Sequence, residues 1–254
     1  MTAAPAAQPL AGKRCLITGG SRGLGLALGL AFVRAGARVA FTYHRNAADA
    51  EEATRRLAEA AAGAPPLVFR GSVADAGHAQ EVVKSVVAAW GGLDVLVNNA
   101  GINQILPIAL LEEADWDAMF DVNVKGAYLF SRAALRHMIR ARAGHLLNIG
   151  SFTSERLVDV SAHYAASKSA LRGLTEALAR EVGRYDIKVN LLAPGLLDAG
   201  LGKLLPQHRI AEYVGQCALG RLGTAEEIAA LAVFLVSDDN TFMTGAKLVA
   251  DGGL

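Results

Sequence analysis

Three side chains of this 254-residue sequence stand at a spacing that could move a proton: Ser151, Tyr164 thirteen residues on, and Lys168 four residues after that. If the segment from His163 is helical, Tyr164 and Lys168 at i and i+4 share one face. A phenol with an ordinary pKa of about 10 is a slow proton donor and a poor base at neutral pH, and a neighbouring ammonium lowers that pKa by favouring the phenolate. The pair suits a reaction in which a proton must reach a carbonyl oxygen as a hydride reaches its carbon. Each residue has an ordinary role taken singly: Ser151 as a strand-end cap, Tyr164 as a half-buried aromatic, Lys168 as a solvated charge.

A hydride needs a donor, and the sequence offers a cradle for one. Thr18-Gly19-Gly20-Ser21-Arg22-Gly23-Leu24-Gly25 follows a short apolar run and opens into an Ala/Leu-rich segment. Glycine is required where the chain turns with positive φ and where no Cβ may obstruct a pyrophosphate, and the helix that follows presents free N–H groups and the positive end of its dipole. The spacing differs from GxGxxG and is similar to the TGxxxGxG of the short-chain dehydrogenases/reductases. Asn98-Asn99-Ala100-Gly101 matches that family's NNAG, and Ser151, Tyr164 and Lys168 stand at its catalytic spacing. The resemblance runs from Lys13 to Leu254 and includes Pro194-Gly195 and Asp251-Gly252-Gly253.

This resemblance implies roles. Ser151 holds the carbonyl oxygen, Tyr164 donates the proton, and Lys168 tunes the tyrosine and bonds the nicotinamide ribose. Asn123, in Asp121-Val122-Asn123-Val124, resembles the fourth member of the catalytic set, which holds a water on the lysine. Asn99, Ala100 and Gly101 pack along the cofactor, and Pro194, Gly195 and the backbone of Leu197 meet the nicotinamide. Two positions depart from the family: Ser72-Val73 stands where an Asp-Val or Asn-Val pair meets the adenine, and Ala199 replaces a threonine that bonds the carboxamide. No metal site is expected.

The choice of dinucleotide follows from charge. An enzyme selective for NAD usually carries an acid at the end of the second strand, about 20 residues past the glycines, to hold the ribose hydroxyls. Here stand Tyr43-His44-Arg45. With no carboxylate there, and with Arg22 and Arg45 able to pair bidentately with a 2′-phosphate, the expected cofactor is NADP(H).

These residues need a scaffold that brings strand ends together. Apolar runs at Arg14–Ile17, Arg38–Tyr43, Leu67–Phe69, Val95–Val97, His145–Ile149, Lys188–Leu192 and Lys247–Val249 alternate with helical patterns. The helices are expected over Gly23–Ala35, Ala47–Ala62, Ala76–Ala89, Asp115–Arg142, His163–Arg184 and Ala225–Val236, with stops near Gly36, Gly63 and Gly91. The pattern predicts a single-domain α/β fold of the Rossmann type, a doubly wound seven-stranded parallel sheet with its ligand crevice at the carboxyl ends of the strands. Residues 13–254 form that domain. Residues 1–12 read as a flexible tail, and 194–223, rich in Gly and Pro, as an irregular substrate loop.

Composition bounds the partners. Lys and Arg (25) nearly balance Asp and Glu (24), which argues against nucleic acid or an anionic membrane surface as the target. No apolar run is long enough to cross a bilayer, residues 1–12 make a poor secretory signal, and the two cysteines, Cys15 and Cys217, suit a reduced, cytoplasmic protein. Within the family, Gly220-Arg221-Leu222-Gly223 and Met243-Thr244-Gly245 make the chain look most like 3-oxoacyl-(acyl-carrier-protein) reductases. That implies a 3-oxoacyl thioester on acyl-carrier protein as substrate, with Arg142 and Arg184 near positions where such reductases dock the carrier. It also implies a homotetramer built through the segments around Ala225–Val236 and Lys247–Val249. Two alternatives stand beside it: a reductase or dehydrogenase of a free ketone or secondary alcohol, and a non-enzymatic NADP(H) sensor or partner-stabilising protein.

Overall fold

The computed structural model describes residues 8–61, 64–156, 159–200 and 206–254. Seven strands, β1 (Arg14–Ile17), β2 (Arg38–Tyr43), β3 (Leu67–Arg70), β4 (Val95–Asn98), β5 (Gly144–Ile149), β6 (Ile187–Pro194) and β7 (Lys247–Ala250), form one parallel sheet in the order β3-β2-β1-β4-β5-β6-β7. The helices between them are α1 (Gly23–Arg34), α2 (Ala47–Ala60), α3 (Ala76–Trp90), α4 (Glu113–Phe120), α5 (Gly126–Ala141), α6 (Ala162–Val182), α7 (Gln207–Gln216) and α8 (Ala225–Val236).

The inner strands are apolar throughout because both faces are covered, and successive residues feed opposite cores. Cys15 and Ile17 join Phe32, Phe41, Val97 and Ile228 under α1 and α8, while Leu16 joins Leu96, Phe130, Met138 and Val189 under α3 and α5. The chain reverses direction across the sheet between β1 and β4. A crevice therefore opens above their carboxyl ends, where the glycine turn leaves β1 and the Asn-Asn pair leaves β4.

Three expectations are corrected. The tail is not loose from residue 8 onward: Leu10 is fully buried, its N–H donates to the Ala35 carbonyl at 2.9 Å, and that of Gly12 to Gly36 at 3.1 Å, so one leucine plugs the core beside the α1–β2 turn. The single helix expected over Asp115–Arg142 is α4 and α5 joined by a wide π-type turn, Asp121–Lys125. That turn holds Asn123 against the backbone of Ile102, and Gly126 permits close approach to Val73, whose Cγ2 would lie 2.8 Å from an added Cβ. The substrate loop is not irregular throughout, since it carries α7. Of the expected helix stops, Gly36 and Gly91 adopt positive φ, whereas Gly63 lies outside the described residues.

Candidate functional site

The glycine turn is shaped for close approach. Gly19 takes φ +68°, and a Cβ there would lie 3.0 Å from the Ala100 Cα. A Cβ on Gly25 would run into the Gly19 carbonyl oxygen. The turn is clamped from β4: Asn99 Nδ2 donates to the carbonyls of Thr18 and Gly19, both at 3.0 Å, and Thr18 Oγ1 accepts from the N–H groups of Asn99 and Ala100 at 3.0 and 3.1 Å. Asn99 thus works chiefly by fixing the cradle. Such a cradle, which a Cβ would fill, opening onto the N-terminus of α1, fits a dinucleotide pyrophosphate.

The turn opens into a cleft of about 1510 Å³ that runs over the carboxyl ends of the strands. At one end lie Ser21, Arg22, Gly23, Leu24, Tyr43, His44, Arg45, Ser72 and Val73, which the structure brings together along one stretch of the cleft. Ser72 Oγ accepts from the Ala74 N–H at 3.2 Å, turning the chain after β3, and Val73 is buried beneath Gly126. One group here escaped sequence reasoning. Asp49, in the first turn of α2, places a carboxylate oxygen 3.6 Å from the Arg22 guanidinium.

At the other end, Ser151 leaves β5 while Tyr164 and Lys168 project from α6 into the same cleft, and all three are buried. Ser151 Oγ accepts from the Thr153 hydroxyl at 3.0 Å. Lys168 Nζ donates to the Ile149 carbonyl at 3.0 Å and stands 5.8 Å from the centre of the Tyr164 ring. Burial pulls the Lys168 ammonium down to about 8. Burial also raises the Tyr164 phenol above its ordinary value, with the facing Ser151 hydroxyl pulling the other way. The lowering of Tyr164 expected from Lys168 is therefore not what these groups produce by themselves. Desolvation is the largest influence on the phenol and favours its protonated form.

Asn123 is almost wholly enclosed. Its Oδ1 accepts from the Ile102 N–H at 2.8 Å, while Nδ2 donates to the Ile102 carbonyl and to Ser167 Oγ, each at 3.0 Å. It lies close to the lysine, since a Cβ on Gly101 would sit 3.3 Å from its Oδ1 and 3.5 Å from Lys168 Nζ. Behind this site runs a buried polar ladder that the sequence reading missed. Asn98 Nδ2 donates to Ser131 Oγ at 2.9 Å and to Asn148 Oδ1 at 2.8 Å, and Asn148 Nδ2 donates to Thr175 Oγ1 at 2.9 Å. It ties β4 and β5 to α5 and α6. A lone asparagine near the end of each of two otherwise apolar strands was the available signal.

The remaining wall comes from three loops. From the last residue of β6 onward, Pro194, Gly195, Leu197 and Ala199 line the cleft, and Leu197 bridges to Gly223. From α7, the Tyr213 hydroxyl donates to the Asp251 carbonyl at 2.7 Å, its ring meets Phe152 edge-on at 5.4 Å, and it fills the space that a Cβ on Gly195 would need. Arg209, also on α7, pairs with Asp159 across the opening. Facing them, Ile102, Ile105, Leu106 and Ile108 form an apolar rim, with Ile105 59% and Ile108 65% exposed. Arg142 and Arg184 converge on Tyr185, 5.9 and 4.9 Å from its ring, and Arg142 donates to the Arg184 carbonyl at 3.1 Å. They lie just before β5 and β6, at the end of the sheet opposite the cleft. Among the described residues, no group of side chains that could hold a metal ion is found, and no helix is long and apolar enough to cross a membrane.

A doubly wound sheet with a glycine cradle at its reversal point, beside a buried Ser-Tyr-Lys set, defines the class of dinucleotide-dependent oxidoreductases. Residues 19–254 match the family described as enoyl-(acyl carrier protein) reductase. The 3-oxoacyl-(acyl-carrier-protein) reductase of Thermotoga maritima is 36% identical over 250 residues, spanning 96% of this chain and 98% of that protein. The enzyme of the same name from Pseudomonas aeruginosa is 38% identical, with the same coverage. Among solved structures, a short-chain dehydrogenase/reductase from Serratia marcescens superposes with a TM-score of 0.90 at 38% identity, covering 96% of this chain and 98% of that one. A short-chain dehydrogenase from Burkholderia cenocepacia in complex with NADP gives 0.89 at 36%, with the same coverage. The chain belongs to the short-chain dehydrogenase/reductase family of oxidoreductases.

Proposed function

We propose that the protein is an NADPH-dependent ketone reductase whose substrate is a 3-oxoacyl thioester carried on acyl-carrier protein. The observation that carries the reductase reading is the buried Tyr164 facing Ser151 at the floor of a cleft whose other half is the glycine cradle. In this reading Gly19, Ser21, Gly23, Leu24 and Gly25 hold the pyrophosphate, Arg22 and Arg45 the 2′-phosphate, with Tyr43, His44, Ser72 and Val73 around the adenosine. Ala100, Gly101, Pro194, Gly195 and the Leu197 backbone border the nicotinamide. When bound, NADPH supplies the hydride. Ser151 donates a hydrogen bond to the carbonyl oxygen, and Tyr164 releases its proton to that oxygen as charge develops on it. Lys168, close to the phenol and already short of solvation, stabilises the phenolate left behind. Asn123 holds the Ile102 backbone and the Ser167 hydroxyl, and keeps the floor beneath Lys168 rigid.

The thioester reading draws on the names of the relatives at 36 and 38% identity and on the apolar rim, which suits an acyl chain. The family description refers to an enoyl substrate, but the Ser151 and Tyr164 hydroxyls facing each other in the cleft could both serve a carbonyl oxygen, which favours C=O over C=C. A free apolar ketone is the second reading. It is favoured by the position of Arg142 and Arg184, because a carrier docked on them at the far end of the sheet would face away from its own subunit's cleft. Carrier docking thus fits best in a homotetramer, where that patch can serve a neighbour's cleft. The two free, buried thiols are in keeping with a cytoplasmic setting.

The test follows NADPH consumption with 3-oxoacyl thioesters on carrier protein, on pantetheine and as free ketones. A carrier-bound substrate that gains nothing over the free ketone removes the thioester reading. Tyr164→Phe should lower kcat by about 10² to 10⁴ while still binding NADPH, and a variant of full activity refutes the proton-donor role.

A further inference from the structure

We propose that Asp49 sets the balance between NADPH and NADH by competing with the 2′-phosphate for Arg22. Arg22 occupies the N-cap position of α1 and borders the cleft together with His44, Arg45 and Asn46. The end of β2 carries no acid, and by that criterion alone the site would select strongly for the phosphorylated cofactor. The acid arrives from the next element instead. Asn46 caps α2 by accepting the Asp49 N–H at 3.2 Å, and this fixes the first helical turn so that the Asp49 carboxylate lies 3.6 Å from the Arg22 guanidinium. Asp49 is the less exposed partner, with its side chain at 31% against 75% for Arg22. The carboxylate is thus the more enclosed partner, on a helix turn whose backbone is capped, and the arginine has the more open surroundings.

A carboxylate and a phosphate seek the same planar fork of donors, and they repel each other when both are within reach. Binding of NADPH thus requires Arg22 to leave or share Asp49. NADH presents a ribose hydroxyl at that place, which a carboxylate tolerates and can accept from. Asp49 consequently weakens NADPH binding without weakening that of NADH, and the chain discriminates less than its two arginines would by themselves.

The 2′-phosphate can be isolated by calorimetric titration of the full chain with adenosine 2′,5′-bisphosphate and with 5′-AMP, which differ only in that group. Asp49→Asn, which keeps the size of the side chain, should tighten the bisphosphate about three- to fivefold, as expected for a partly exposed ion pair. It should leave 5′-AMP unchanged or weaker. The gain should shrink in ~1 M salt, where screening is short-ranged, and should be clearly smaller in an Arg22→Ala background, where only the direct repulsion is left to relieve. Thermal melts of each variant establish that the fold is intact. A bisphosphate affinity that stays constant or falls in Asp49→Asn would overturn the proposal, as would a gain that persists in full without Arg22.

Discussion

Lys168 should destabilise the protein that it serves. Its ammonium is 4% exposed and is drawn down to about 8 from an ordinary 10.5 by burial. The difference of about 2.5 units corresponds to roughly 3 kcal/mol by which the folded chain disfavours the charged form relative to the unfolded chain. The sign sets the pH window. Below pH 8 the lysine is protonated in both states and the whole penalty is present. Between 8 and 10.5 the unfolded chain binds more protons than the folded one, so stability rises with pH. Above 10.5 both are neutral and the penalty is gone. Lys168→Met removes the charge but also the bond to the Ile149 carbonyl, whose loss costs about 1 kcal/mol. The net gain at pH 7 is about 2 kcal/mol, or about 4–8 °C in Tm for a chain of this length. Melts of the cofactor-free protein and the variant across pH 6 to 11 isolate the lysine, because other groups cancel in the difference. The variant should melt higher at neutral pH, cross the parent near pH ~10, where the remaining penalty equals the lost bond, melt lower above that pH, and be inactive as a reductase. A variant that melts lower at pH 7, or a difference that stays flat with pH, would refute the argument that burial dominates at this site.

Two further outcomes follow from the cleft. Gly25→Ala should abolish binding of either dinucleotide, read by quenching of protein fluorescence, because the new methyl meets the Gly19 carbonyl and the cradle must open; retained affinity would place the pyrophosphate elsewhere. Along the apolar rim, each added methylene of a ketone series should raise kcat/KM about twofold, half of what full burial of a CH₂ would give, since Ile105 and Ile108 are more than half exposed before substrate covers them. The double variant Ile105→Ser, Ile108→Ser should flatten that slope, and an unchanged slope would move the substrate tail to the α7 side.

What the sequence disclosed and what it hid divide along physical lines. The strands were legible because continuous apolar runs between glycines mean burial on both faces, and Gly19 and Gly25 because their backbones tolerate no Cβ. The Ser151-Tyr164-Lys168 set was legible because helical spacing alone puts two of its members on one face. The π-type turn around Asn123 was invisible, since its cause is a long-range bond to Ile102, and an uninterrupted apolar period reads as one helix. Helix α7 had a usable signal in Ile210, Tyr213, Val214 and Cys217 at i, i+3, i+4 and i+7, but the surrounding Gly and Pro drew the reading toward a loop. Leu10 shows the converse error, in which the composition of twelve residues outweighed the single side chain that packs. Asp49 exposes a limit of motif logic itself. Selectivity was sought at the end of a strand, whereas the first turn of a helix, six residues past Tyr43, brings a carboxylate to Arg22 through space. Cofactor preference is set by the total charge that converges on the 2′ position, and a reading confined to one sequence position counts only part of it.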